Sequence, residues 1–298
     1  MSAPRFGRVI TAMVTPFDER GALDFDGART LARYLTSHGS EALVVAGSTG
    51  EGSSLSDAEK LDLFACVAEA TSAPVIAGSS FANTYQSVAL TKQVAATGAQ
   101  GVLATTPAYA RPSQAGLAAH LGAVAESTTL PVMLYDIPVR TGRKLRAETT
   151  VGVVEKHANV VALKDASGEL PVAAHVKSSL GDALDLYSGD DAWTLAFMAI
   201  GAVGIVSVAA HWAGPEFAAM VSAAATGDWA RAQALNELLA PSCGFESSEL
   251  FPNPVPTKVM LRLLGLHDGE CRLPHVGAEG ALDERANDVL AQLRSARA

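Results

Sequence analysis

The chain has 298 residues, 49% of them hydrophobic and 18% charged, with a net charge of −9. That composition fills a core and excludes a disordered chain. The acidic balance argues against a nucleic-acid or anionic-membrane surface, while leaving room for a small anionic substrate at a locally positive site. The cysteines, Cys66, Cys243 and Cys271, are odd in number and far apart. They read as free thiols in a reducing compartment, which points to the cytoplasm.

In chain order the pattern is apolar strand, punctuation, helix, repeated. The apolar run within Met1 to Phe17 is too short for a signal peptide, and Pro16 closes it. Val9–Met13 is the first strand, followed by a helix from about Phe25 to His38. Ala42–Ala46 is the second. Its helix opens on Ser56-Asp57-Ala58-Glu59, the spacing of a capping box, and runs to about Ala70. Val75–Ala77, Gly101–Ala104 and Val132–Tyr135 continue the series, with helices near 83–97, 113–127 and 148–156. The sixth strand starts at Val160, Leu184–Ser188 is the seventh, and Gly204–Val208 the eighth.

Leu195 to Ala213 is almost wholly apolar, but Gly201, Gly204 and Ser207 interrupt it, so it reads as a buried helix, a tight turn and a strand rather than a membrane span. Eight such units in residues 1–225 predict an α/β fold, a (β/α)8 TIM barrel. No dinucleotide glycine fingerprint follows the first strand. From 226 to 298 the strands stop. Helical patterns at Trp229–Leu239, Val255–Leu264 and Glu279–Ser295 make a small C-terminal all-helical appendage.

The sixth strand carries the most informative residue. Val160-Val161-Ala162-Leu163 runs into Lys164, and Asp165-Ala166-Ser167-Gly168 breaks the run. A continuous apolar strand has both faces covered, and lysine is rarely buried. Two readings are open. The lysine stem lies along apolar surface with its ammonium in water, or the amine is desolvated and forms a Schiff base with a carbonyl substrate.

In a barrel the residues just after each strand converge on one face. After the second strand, Gly47-Ser48-Thr49-Gly50-Glu51-Gly52 lacks a Walker lysine. It is either a hydroxyl-capped turn or a cradle whose amides hold a carboxylate or phosphate. Tyr135 ends the fifth strand, as core filler or as a phenol placed to shuttle protons. Arg140 follows in the next loop, as a solvated charge or a carboxylate clamp. Asp190-Asp191 reads as a helix cap. Gly78-Ser79-Ser80-Phe81-Ala82 nearly matches a serine-hydrolase elbow, but Ala82 replaces the last glycine. His157, His175 and His211 have no metal-ligand spacing, so no metal is expected.

With these positions assembled, the chain resembles the dihydrodipicolinate synthase/N-acetylneuraminate lyase family of pyruvate-dependent class I aldolases. The resemblance is carried by Thr11–Phe17, Gly47–Glu51, Thr106-Pro107 to Pro112, Leu134–Pro138, Lys164-Asp165, Ser188–Asp191 and Pro252–Lys258. It implies a TIM barrel, a lyase activity and no cofactor beyond the lysine itself. Lys164 would form the Schiff base with pyruvate, Tyr135 would relay protons, and Ser48 would link Tyr135 to Tyr109, a tyrosine lent to a neighbouring subunit. Thr49, Gly50, Gly189 and Val206 fall on substrate-binding positions. Arg140 falls where the synthase branch holds the carboxylate of aspartate 4-semialdehyde.

The resemblance therefore implies a homo-oligomer, dimer or tetramer, whose partners are small molecules, with no nucleic acid and no membrane. The alternatives are a sibling aldolase acting on a sugar acid or other 2-keto acid, towards which Ser48 leans, and a barrel that binds keto acids without turnover. At the positions where some relatives hold free lysine as an inhibitor, this chain has Lys60, Ala82 (or, with one residue of slippage, Asn83), Gln86 and Ala108. Loss of the expected glutamate charge predicts insensitivity to lysine.

Overall fold

The computed structural model describes residues 3–267 and 269–297. Eight parallel strands close into a barrel in sequence order: β1 Val9–Ala12, β2 Ala42–Val45, β3 Val75–Gly78, β4 Gly101–Thr105, β5 Val132–Asp136, β6 Val160–Asp165, β7 Asp185–Ser188 and β8 Gly204–Ser207. The helices α1 Phe25–Ser37, α2 Asp57–Ala70, α3 Thr84–Val94, α4 Gln114–Glu126, α5 Pro138–Thr141, α6 Ala147–Lys156, α7 Leu170–Leu180, α8 Thr194–Ala199 and α9 Ala210–Thr226 connect and cover them. After these come α10 Trp229–Phe245, α11 Val255–Leu263 and α12 Asp283–Arg297. Among the described residues no helix is long and apolar enough to cross a membrane.

Alternation along each strand sorts the side chains into two layers. Ile10, Val44, Ile76, Leu103, Met133, Tyr135, Ala162, Tyr187 and Val206 fill the barrel interior. Their neighbours Leu43, Val45, Val75, Val102, Leu134 and Leu163 pack outward against the helices. This double burial is why the strands read as unbroken apolar runs. The capping box of α2 is present: Ser56 Oγ accepts from Glu59 N at 3.3 Å, and the Glu59 carboxylate accepts from Ser56 N at 2.9 Å.

Three elements depart from the sequence reading. α5 is a short helix where a plain loop was expected, with Pro138 in its first turn and Gly142 (φ +75) ending it. α7, between β6 and β7, was not anticipated; Pro171 in its first turn looks like punctuation in the sequence. α10 was expected to stop at Leu239 but continues through Pro241 to Phe245. The extra turns are held by Trp212, whose Nε1 donates to Ser242 Oγ at 3.0 Å and whose ring packs edge-on to Phe245.

The C-terminal helices share one hydrophobic cluster with α9 and β8, including Ile205, Trp212, Phe217, Leu239, Val259 and Leu290. A buried ion pair ties them to the β2–α2 loop: Lys258 Nζ lies 2.5 Å from Glu51, both side chains sealed from water. Arg272 reinforces it, donating from its backbone N–H to Glu51 at 2.9 Å and from its guanidinium to Glu59 at 2.6 Å. Each cation also lies over the Phe17 ring, 4.4 Å from its centre. Arg272 holds the Glu59 carboxyl down at about 2. Removing one partner of such a buried pair typically costs about 3–5 kcal/mol.

Candidate active site

The strand ends of β5 and β6 put two of the named residues side by side. Tyr135 and Lys164 are register partners in the sheet, and Lys164 Nζ sits 4.2 Å from the centre of the Tyr135 ring. Lys164 is 4% exposed and Tyr135 3%. The snorkelling reading of Lys164 therefore fails, because the residue is almost wholly out of water. Burial lowers the Lys164 pKa to about 8, with Asp191 pulling back up and Arg140 pushing down. An amine in that range is partly unprotonated near neutrality and can attack a carbonyl carbon.

Burial pushes the Tyr135 phenol up to about 12, against the pull of Arg140 and of a hydrogen bond with Ser48. Tyr135 is therefore a protonated donor at neutral pH, joined to the hydroxyl of the β2 loop. In that loop Thr49 is buried, and its Oγ1 accepts from Asn253 Nδ2 at 2.9 Å. The Thr49 and Gly50 amides donate to no acceptor among the described residues, which leaves them free for an anion. Gly50 is glycine for a steric reason: a Cβ there would meet Met13 O at 2.9 Å.

Arg140, on α5, donates from Nη2 to Asn253 O at 3.1 Å. Asn253 thus touches both the cradle and the arginine, a role that its sequence motif did not reveal. Arg140, Ser48, Thr106, Ala108, Thr141 and His275 line a cleft of ≈ 230 Å³. A larger cleft, ≈ 720 Å³, lies against α6 and α7. Its lining includes Pro138, Gly142 and His175 but neither Ser48 nor Arg140, both of which line the smaller cleft, so the smaller cleft is the site of interest.

Val206 is fully buried on β8 beside Ile10. Gly189 donates its amide to Asp165 O at 2.7 Å, and a Cβ on it would press on Ala166 at 2.9 Å. Tyr109 does not join the cluster. It is 97% exposed, at φ +69, on the loop after β4.

Asp190 is a cap, accepting from Ala192 N at 3.0 Å, but Asp191 is not. Asp191 is buried and accepts from Ser207 Oγ, from Val208 N at 2.8 Å and from Ala209 N at 3.3 Å. Glu246, which the sequence reading passed over, comes up beside it from the end of α10. Only the continuation of α10 past Pro241 could have signalled it.

The serine near-motif has a structural explanation. Ser80 Oγ is bonded to His120 Nε2 at 2.9 Å and to Thr105 O at 3.0 Å, and both residues are sealed in the shell. His211 Nε2 accepts from Val14 N at 3.1 Å and its Nδ1 bonds Val208 O at 2.7 Å. It is a neutral core imidazole, with burial pulling it down to about 4. Among the described residues no cluster of His, Cys, Asp and Glu is arranged to hold a metal.

The profile of the dihydrodipicolinate synthetase family matches residues 5–293. The chain belongs to this family. Among curated relatives, the 4-hydroxy-tetrahydrodipicolinate synthase of Moorella thermoacetica is 47% identical over 276 residues, 92% of this chain and 94% of the relative. That of Bacillus subtilis is 43% identical over 275 residues, 91% of this chain and 93% of the relative. Among solved members of the family, the DHDPS of Cyanidioschyzon merolae with lysine bound superposes with a TM-score of 0.93 at 38% identity, covering 96% of this chain and 98% of that one. The dihydrodipicolinate synthase of Bacillus anthracis gives 0.90 at 39% identity, covering 98% and 99%. Family membership agrees with the barrel and its helical C-terminal part.

Proposed function

We propose that this chain is a 4-hydroxy-tetrahydrodipicolinate synthase that condenses pyruvate with aspartate 4-semialdehyde through a Schiff base on Lys164. The observation that carries the reading is a sealed amine at a strand end, 4.2 Å from a phenol ring, beside a loop with two free amides.

The Thr49 and Gly50 amides would hold the pyruvate carboxylate. The unprotonated Lys164 amine attacks the ketone carbon, and the carbinolamine loses water to give an iminium ion. Loss of a methyl proton yields the enamine, whose carbon attacks the aldehyde. Tyr135, protonated at neutral pH and hydrogen-bonded to Ser48, donates to the departing hydroxyl. It recovers a proton as its phenolate takes the one lost from the methyl group, and gives that proton to the new alkoxide. The phenolate then takes a proton from the water that hydrolyses the iminium and frees Lys164. Arg140 would hold the second substrate's carboxylate by a charge-assisted bond. Activation of the ketone is assigned to Lys164 alone, with no cofactor.

Tyr109, standing in solvent on one chain, suits insertion into a neighbouring subunit and hence a homo-oligomer. The acidic surface and unpaired cysteines suit the reducing cytoplasm. Incubation with pyruvate and borohydride, followed by peptide mass analysis, tests the mechanism. A reduced pyruvyl adduct is expected on Lys164 and none in Lys164→Ala. Adduct on another lysine, or turnover with a sugar-derived aldehyde in place of aspartate semialdehyde, would overturn the reading.

A further inference from the structure

The site contains a pair of carboxyl groups that the reaction scheme above leaves unused. Asp191 follows β7 and is 1% exposed. Three donors converge on it from the turn between β8 and α9: the Ser207 hydroxyl and the amides of Val208 and Ala209. Glu246 arrives from the opposite direction, at the end of α10. Its Oε2 is out of water and receives no hydrogen bond from any donor among the described residues, yet its carboxyl lies within bonding reach of Asp191.

Two carboxyls side by side, Asp191 buried and Glu246 half-buried with its Oε2 out of water, resist being ionised together. A proton on one of them removes the orphan, because a carboxylic acid donates to a carboxylate. The donor sets decide where the proton sits. Asp191 has three donors favouring its anion, whereas Glu246 has none. Burial and the Asp191 charge both raise the Glu246 carboxyl well above its usual range.

The other charged and titratable groups facing the pair are Asp190, Lys164 and Cys243. Asp190 adds negative charge and so favours keeping the proton. Burial pushes the Cys243 thiol up, with Asp191 and Glu246 adding to the push, so it stays neutral. Lys164 supplies the positive charge that faces the pair.

We propose that Glu246 is held as a neutral carboxylic acid that donates to Asp191, and that the pair's single negative charge tunes Lys164. Two ionised carboxylates beside Lys164 would fix it as an ammonium. One leaves it able to lose its proton, and that one also stabilises the iminium cation that replaces the amine. Glu246 acts through Asp191, so it is a positioning residue, and its place at the end of α10 makes the C-terminal helices part of the lysine's electrostatic surroundings. The proposal rests on the Schiff-base reading of Lys164.

Infrared difference spectroscopy between the wild type and Glu246→Gln at neutral pH tests the proton directly and needs no substrate. The carbonyl stretch of a buried protonated carboxyl is expected in the wild type and absent from the variant. The pH profile of pyruvate trapping by borohydride supplies the second readout. Glu246→Gln keeps a neutral donor, so the midpoint should stay where the wild type has it. Asp191→Asn, made in the Glu246→Gln background so that no second carboxyl can take up the charge, should lower the midpoint by roughly one pH unit, as expected for loss of a nearby opposite charge. Absence of the protonated-carboxyl band in the wild type would overturn the proposal. So would a Glu246→Gln midpoint that falls by as much as the added Asp191→Asn lowers it further, since Glu246 would then have been ionised. If no adduct forms at all, the Schiff-base reading fails, while the infrared result still decides where the proton lies.

Discussion

Lys164 and Tyr135 face each other across the β5–β6 ladder, the ammonium nitrogen 4.2 Å from the ring centre, and neither side chain has more than 4% of its surface in water. The ring therefore does two things. It forms the apolar wall that desolvates the amine, and it carries the phenol that reaches Ser48. Tyr135→Phe separates these roles, because the wall survives and the proton relay is lost. The variant is expected to keep the fold and the Lys164 adduct but to turn over about 10²–10⁴-fold more slowly, the usual range for a general acid or base. Wild-type turnover in that variant would reduce Tyr135 to packing.

The Lys164 pKa of about 8 makes roughly one molecule in ten reactive at pH 7, against about one in a few thousand for an ordinary lysine. Adduct formation should rise with pH and level off above about 8. Stability should follow the same group. The unfolded chain holds this proton more tightly, so the folded state carries the full penalty below pH 8 and sheds it between about 8 and 10.5. Lys164→Met should accordingly gain about 3 kcal/mol in urea unfolding at neutral pH while losing all adduct. A flat trapping profile from pH 6 to 9 would contradict the desolvated amine.

Arg140→Ala should raise the KM for aspartate semialdehyde about ten- to a hundredfold, the worth of one charge-assisted contact of about 1.5–3 kcal/mol. The KM for pyruvate should move much less. Arg140 also bonds the Asn253 backbone, and Asn253 supports Thr49. An equal loss for both substrates would mean that the guanidinium braces the cradle and does not choose the aldehyde.

Free lysine at millimolar concentration should not inhibit this protein, although the Cyanidioschyzon merolae relative was crystallised with lysine bound. The crevice formed by Asp57, Lys60, Ala82, Asn83 and Gln86 amounts to ≈ 30 Å³. It already contains an ammonium group: Lys60 Nζ lies 3.4 Å from Asp57 and 4.3 Å above the Phe81 ring. Asn83 is committed to capping α3, with its side chain bonded to Gln86. An incoming lysine would meet a like charge and occupied amides. Inhibition that no substrate competes away would show this account of Lys60 and Gln86 to be wrong.

The barrel was legible because double burial writes each strand as an unbroken apolar run, and because Lys164 interrupts one such run at its end. Ser48, Thr49, Tyr135 and Arg140 were legible as strand-end positions, which a closed barrel brings to one face. What stayed hidden depended on tertiary support. Pro241 is a stop signal locally, and only Trp212 packing on Phe245 carries α10 beyond it to Glu246. Asp190 and Asp191 look alike in sequence, yet one caps a turn and the other collects donors from β8. Asn253 sits in a proline-rich stretch with no local cue that its amide ends on Thr49.

The Asn253 bond to Thr49 spans 204 residues and the Arg272 bond to Glu51 spans 221. A ribosome releases the β2 loop long before it releases the residues that lock it. All eight strands can emerge while Glu51 still waits for Lys258. Contacts this distant in sequence form slowly. A nascent chain released only as far as β8 therefore holds all eight strands but none of the groups that lock the cradle.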